Sequence, residues 1–204
     1  MRIIAGRYRR RTLRPRPGLV TRPITDRVKE MLFSHIEHLV IGARIADVFA
    51  GTGTLGLESL SRGAERVVFI EQDRRAIELL RENVQALDVL KHVVCWQTSA
   101  LRTSFRPKNA DGFFPYDLVF VDPPYRMIPG LLPGSPLFRS FERLARPDVS
   151  AENARLILRV PEHASFQVPE LWSPVQGFDL SGMRIHIYTK RDIVDDSRGL
   201  DPPV

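Results

Sequence analysis

Cysteine is nearly absent: the 204-residue chain has one, Cys95. That excludes an internal disulfide and an all-cysteine metal site, and a reducing compartment, the cytoplasm, is expected. No apolar run approaches the roughly 18 residues of a membrane-spanning helix. The basic N-terminus lacks the apolar stretch of a signal peptide. Secreted and membrane-bound classes are therefore not expected. The histidines at 35, 38, 92, 163 and 186 show no ligand spacing, and no metal is expected. No Ser-His-Asp order stands out. Cys95 stands inside an apolar run and reads as a small core residue, not a nucleophile. Lysine is scarce as well, four against 26 arginines. Arginine makes planar, two-pronged contacts with phosphate and stacks on bases, which suits RNA better than a diffuse lysine tail would.

The length fits one α/β domain, and with 43% hydrophobic residues the chain can bury a core. Its charge is unevenly placed. Residues 1–44 carry a net charge of +8 and the remainder −2, so all the excess sits in the first fifth of the chain. A phosphate backbone is the partner such a patch suits, because neutralised phosphates release condensed counterions.

Residues 1–24 mix short apolar pieces with Arg, Pro and Gly and read as an extended arm or short hairpin. Thr25 or Asp26 can cap a helix carrying Val28, Met31, Leu32, Ile36 and Leu39 on one face. From Ala43 strands and helices alternate. Strand-like runs are Arg44–Ala50, Arg66–Glu71, His92–Gln97, Asp117–Asp122, Arg155–Val160 and, late in the chain, Gly182–Arg191. Helical runs are Leu55–Arg62, Arg74–Leu87 and about Leu137–Ala145. The alternation predicts a doubly wound, mostly parallel sheet. The chain thus divides into a basic arm and helix (1–42), an α/β domain (43–191) and a tail (192–204) expected to be disordered.

Two motifs carry chemistry. Asp47-Val-Phe49-Ala50-Gly51-Thr-Gly53-Thr-Leu-Gly56 is a glycine-rich turn between the first strand and its helix. Glycines permit the sharp turn and let a ligand approach the amides at the helix N-terminus. Glu71 follows at the end of the second strand, where a carboxylate can accept both hydroxyls of a ribose. The spacing also fits a nicotinamide dinucleotide, so the motif alone does not name the cofactor. Asp47, before the glycines, could hold a charged amine.

The second motif is Asp122-Pro123-Pro124-Tyr125, an apolar strand ending in two prolines and a ring. The exocyclic amine of a base is a poor nucleophile because its lone pair is delocalised. Acceptors that hold its two hydrogens favour a tetrahedral nitrogen, and the Asp122 carboxylate and Pro123 carbonyl can be those acceptors. Proline stiffens the turn, preorganised dipoles stabilise the reacting state, and Tyr125 can stack on a base swung out of its helix.

Together these motifs resemble class I S-adenosylmethionine-dependent methyltransferases acting on exocyclic amines. With Arg2-Ile-Ile-Ala-Gly-Arg7, Arg22-Pro-Ile-Thr-Asp-Arg-Val-Lys-Glu-Met-Leu-Phe33 and Phe49 to Glu58, the chain resembles the RsmD family over residues 2 to about 125. The resemblance implies a Rossmann-like, seven-stranded sheet with an antiparallel last strand, and methyl transfer from S-adenosylmethionine to guanine N2 in small-subunit ribosomal RNA. It implies a cofactor held by Asp47, Phe49, Ala50, Gly51, Gly53, Gly56, Glu71, Gln72, Ser99 and Ala100, and a guanine held by Asp122, Pro123, Pro124 and Tyr125. Arg2, Arg7, Arg9, Arg10, Arg11, Arg22, Thr25, Asp26 and Arg27 would contact RNA or close over the site. Separately, a monomer is expected. Many relatives have Asp or Asn where this chain has Ser99. The Pro/Gly-rich segment 126–136 reads as a lid or a lengthened loop, and Arg159-Val-Pro-Glu162 is given no role. The rivals are a DNA adenine-N6 or cytosine-N4 methyltransferase and a non-catalytic RNA-binding assembly factor.

Overall fold

Strands apolar on both faces must lie inside a sheet covered on both sides. The computed structural model, which describes residues 1–16 and 25–191, has this arrangement. The elements run α1 (Asp26–Val40), β1 (Arg44–Val48), α2 (Thr54–Ser61), β2 (Arg66–Glu71), α3 (Arg74–Leu87), β3 (Val93–Gln97), β4 (Tyr116–Val121), α4 (Pro136–Leu144), β5 (Ser150–Pro161), β6 (Trp172–Asp179) and β7 (Met183–Lys190). One sheet takes all seven strands in the order β3-β2-β1-β4-β5-β7-β6. β1 to β5 pair in parallel, and β7 lies antiparallel to β5 and β6. This is the seven-stranded, Rossmann-like arrangement with an antiparallel last strand.

The side-chain period of two divides each strand between two cores. Ile45, Val67, Phe69, Leu118, Phe120 and Ile157 face α1, α2 and α3. Ala46, Val48, Val68, Ile70, Val119, Val121 and Leu158 face α4. Thr25 caps α1 by accepting the Val28 N–H, and buried Val28, Leu32, Phe33, Ile36 and Val40 recur at helical spacing. Asp73 and Ser135 cap α3 and α4 in the same way.

The strand Trp172–Asp179 left no mark in the residue pattern. Apart from Trp172 it is largely exposed, so no alternation arises, and Pro174 and Gly177 interrupt it. Proline is tolerated there because the strand is an edge. Trp172 is buried and its indole N–H donates to the Phe141 carbonyl at 2.9 Å. The expected tail, from residue 192 on, lies outside the described residues, as does Arg22.

Candidate active site

In open α/β sheets the ligand crevice lies at the carboxyl ends of the strands where the winding reverses, which in this strand order is at the loops after β1 and β4. Both motifs stand there. Register brings Asp47 level with Phe69 of β2 and Phe120 of β4. Glu71, Asp47, Asp122 and Arg159 therefore project from four neighbouring strands on the face that carries α2, near the carboxyl ends.

The glycine loop is shaped by what surrounds it. Phe49 has φ +64, strained for a bulky residue, and the N–H groups of Phe49 and Ala50 both reach the Ile70 carbonyl, at 3.0 and 3.2 Å. Gly51 donates to Glu71 Oε2 at 2.8 Å, and a Cβ at Gly51 would meet nothing within 4 Å. Open space therefore lies over this turn, where a ligand can approach. Gly53 and Gly56 are glycines for packing: a Cβ would stand 2.3 Å from Leu80 Cδ1 or Phe69 Cε1 respectively. The second oxygen of Glu71 accepts the Asp73 N–H at 2.7 Å. Two amides thus orient the carboxylate while leaving each oxygen a lone pair for a ribose hydroxyl. Gln72 is exposed beside it. Thr98 N–H reaches the Glu71 carbonyl at 3.0 Å, which brings the half-buried Ser99 and buried Ala100 to the same rim.

Asp47 differs from the expectation. It is buried under the loop, where its Oδ2 accepts the Gly56 N–H at 2.9 Å. Burial, with Asp122 and Glu71 nearby, pushes its carboxyl up to about 8. It ties α2 to β1 and does not stand at the loop surface to meet an amine. Cys95 is half-buried on β3, packed against the core, and burial pushes its thiol up to about 11, far from a thiolate at neutral pH.

At the end of β4 the Asp122 N–H donates to the Val48 carbonyl at 3.2 Å, continuing the β4–β1 pairing to the first residue of the motif. The Asp122 carboxylate meets a residue that received no role from the sequence. Arg159 of β5 grips it with two bonds, Nε to Oδ1 at 2.7 Å and Nη2 to Oδ2 at 2.6 Å. The same guanidinium lies 5.8 Å from the centre of the Tyr125 ring. An arginine in an otherwise apolar strand, Leu156 to Val160, is the signal that could have found it. Beyond Tyr125 opens a cleft of about 590 Å³ bounded by Pro161, Glu162, His163 and Gly182, within the roughly 300–1,000 Å³ usual for a small-molecule site. The segment after Tyr125 is docked rather than loose, because Ile128 and Leu131 are fully buried and Gln167 N–H bonds to the Leu131 carbonyl at 2.8 Å.

The arm forms a hairpin, with Arg2 bridged to Thr12, and Ile3 and Leu13 enter the core shared with β1. Its anchor is a buried ionic cluster. Glu58 accepts the N–H of Ile4 at 2.8 Å and of Ala5 at 3.1 Å, and also pairs with Lys29 at 3.3 Å and Arg62 at 2.9 Å. Lys29 Nζ also donates to the Arg2 carbonyl. Burial holds the lysine below its ordinary range, and Glu58 opposes that shift. Neither residue was singled out from the sequence, although each interrupts an apolar helix face.

Only the turn of the hairpin lies away from the crevice; its two ends return to it, Met1 Sδ accepting from Thr54 Oγ1 at 3.1 Å and Arg16 pairing with Asp73 at 3.1 Å. Arg11 bonds to the Ala86 carbonyl at 2.5 Å, at the far end of α3, about 20 Å along the helix from its start at the crevice. Arg7, Arg9 and Arg10 are exposed near that turn. Arg14 then returns along α3, its N–H held by buried Asn83, whose amide also bonds to the Thr52 carbonyl in the glycine loop. Thr25 and Asp26 serve the fold, as a helix cap and as partner to Arg2 at 2.7 Å, while Arg27 is exposed.

A family described as conserved hypothetical protein 95 matches residues 1–147. The chain is 40% identical over 128 residues to Ribosomal RNA small subunit methyltransferase D of Escherichia coli, a stretch covering 62% of this chain and 61% of that protein. It is 39% identical over 127 residues to YlbH of Bacillus subtilis, covering 62% and 67%. The matched stretch is thus about two thirds or less of these relatives. The solved structure of yhhF from Escherichia coli superposes with a TM-score of 0.76 at 29% identity, covering 94% of this chain and 98% of that one. Among the described residues no group of three His, Cys, Asp or Glu side chains could hold a metal, and no helix is long and apolar enough to cross a membrane.

Proposed function

The chain belongs to the family described as conserved hypothetical protein 95, the RsmD family, and from that membership we propose that it methylates N2 of a guanine in small-subunit ribosomal RNA, with S-adenosylmethionine as the methyl donor. The observation that carries this reading is the meeting of the two motifs: Asp122-Pro123-Pro124-Tyr125 at the end of β4, bonded to the end of β1, beside the Gly51 turn and Glu71.

The residues present fit the donor. Open space over Gly51, a Glu71 carboxylate oriented by two amides, and the rim at Gln72, Ser99 and Ala100 suit an adenosine. Bound there, the donor supplies an electrophilic methyl group on a sulfonium. Asp122 and the Pro123 carbonyl hold the two hydrogens of the amine, which turns the nitrogen lone pair out of conjugation with the ring. Arg159 takes one lone pair of each Asp122 oxygen, so the carboxylate keeps acceptor capacity for the amine. Tyr125 offers its ring for stacking, with the adjoining cleft receiving the rest of the nucleotide. The amine proton then leaves to the Asp122 carboxylate or to water. Alignment of the reacting groups supplies most of the rate. Exposed Arg7, Arg9 and Arg10 serve as a second, phosphate-binding contact remote from the reacting guanine.

The test is methyl transfer from labelled S-adenosylmethionine to small-subunit particles lacking the modification, with free ribosomal RNA and duplex DNA alongside. Label mapped to a guanine N2, and lost in Asp122→Ala while cofactor binding persists, is the expected result. Label on DNA, or wild-type turnover by the Asp122→Ala variant, refutes it.

A further inference from the structure

Asp122 and Arg159 are 37 positions apart and meet because β4 and β5 are neighbours in parallel register. Val121 pairs with Leu158, so the next residue of each strand, Asp122 and Arg159, emerges level and on the same face. The contact is a fork: two nitrogens of one planar group on two oxygens of the other, both side chains mostly buried at 13% and 20% exposure. Such a pair restricts the carboxylate in more than distance. A single-point cation leaves a carboxylate free to rotate about its last bond, whereas a bidentate guanidinium holds its plane. Arg159 also lies against the Tyr125 ring and is itself braced by a weak contact to Met183 Sδ at 3.8 Å. One side chain therefore touches both groups expected to handle the target base.

From this geometry we propose that Arg159 is a positioning residue for methyl transfer. It holds the Asp122 carboxylate in the plane from which that group accepts the amine hydrogen, and it sets the Tyr125 ring at the mouth of the cleft. Direct contact with the reacting nitrogen or the methyl group is not part of this role. The inference rests on the function proposed above. It goes further in naming a device on β5 that the two sequence motifs do not contain. Removing the fork leaves acceptor chemistry, cofactor groups and the arm in place, but frees the carboxylate to turn. A misplacement of about 1 Å in such a site costs on the order of 100-fold in rate.

The experiment measures kcat and KM for RNA, and the cofactor Kd, for the full chain and its Arg159→Met and Arg159→Lys variants. In Arg159→Met, kcat is expected to fall about 100-fold while KM and cofactor Kd stay within threefold of wild type. Arg159→Lys keeps the buried charge but not the fork, and its kcat is expected to recover to within about tenfold of wild type without reaching it. A wild-type kcat in Arg159→Met overturns the proposal. So does a loss confined to KM, which would make Arg159 an RNA-binding side chain. Should the methionine variant fail to fold, the lysine variant decides alone: lowered kcat with unchanged KM and Kd supports the role, and full kcat overturns it. Failure of the underlying reading looks different, because then the wild-type chain itself places no label on a guanine N2.

Discussion

Gly56 is the position at which helix propensity and packing make opposite predictions. It stands inside α2, where alanine would ordinarily stabilise by about 1 kcal/mol. A Cβ at that position, however, would lie 2.3 Å from Phe69 Cε1, 2.8 Å from its Cζ and 2.8 Å from Val67 Cγ1. Carbon atoms are comfortable from about 3.5 Å, so helix and strand must separate by about 1 Å. Phe69 and Val67 are fully buried in the core that α2 covers. Overpacking of this kind costs about 1–3 kcal/mol. The same displacement lengthens the 2.9 Å bond from the Gly56 N–H to Asp47, and a buried acceptor left without its donor costs a further 1–3 kcal/mol or so. The packing effects win. Gly56→Ala is expected to lose about 2–4 kcal/mol net, a fall in Tm on the order of 5–15 °C for a chain of this size. Because α2 begins at the glycine loop, cofactor affinity should fall at least tenfold in parallel. Urea denaturation and cofactor titration by calorimetry measure the two effects. A Gly56→Ala variant as stable as wild type, with unchanged cofactor affinity, would refute the reasoning.

Two further predictions concern buried charge. The Asp47 carboxyl sits at about 8 in the folded protein, so between roughly pH 4 and 8 the folded state binds a proton that the unfolded chain releases, and stability falls as pH rises. Asp47→Asn keeps an acceptor for Gly56 and lacks the titration. The stability gap between wild type and variant should therefore shift by up to about 1.4 kcal/mol per pH unit between pH 6 and 8, in the variant's favour as pH rises. Parallel curves would rule this out. Glu58→Ala strands Lys29 in the core and should cost about 3–5 kcal/mol. Replacing Lys29 and Glu58 together by Met and Leu removes the stranded lysine but leaves mostly buried Arg62 with Glu37 alone at 3.9 Å, so it should restore only part of the stability and not the arm, whose Ile4 and Ala5 amides lose their acceptor. Arg7 and Arg9–Arg11 should then become cleavable by trypsin under native conditions. Continued protection would show that Ile3 and Leu13 hold the hairpin unaided.

The strands β1 to β4, the helix cap at Thr25, the glycine turn and the Asp-Pro-Pro-Tyr end of β4 were all legible in the residues. Each is a local feature: a run apolar on both faces, an oxygen one residue before a helix, a stiff dipeptide closing a strand. Such features involve neighbours in the chain, and their period and chemistry are written in consecutive positions. The resemblance added the seventh strand, which its own residues hide because an exposed edge has no face to keep apolar. Only the tertiary structure decided the rest. Strand order put Arg159 beside Asp122, and burial turned Asp47 from a surface carboxylate into the tie between β1 and α2. The Glu58 cluster anchored the arm so that the turn with Arg7 to Arg11 lies at the far end of α3 while Arg16 returns to its start. These outcomes depend on which strands pair and which helix covers them, so they join residues 37 or 54 positions apart. A charged residue in an apolar run shows in the sequence that something must compensate it. What does so is settled only when the sheet closes around it.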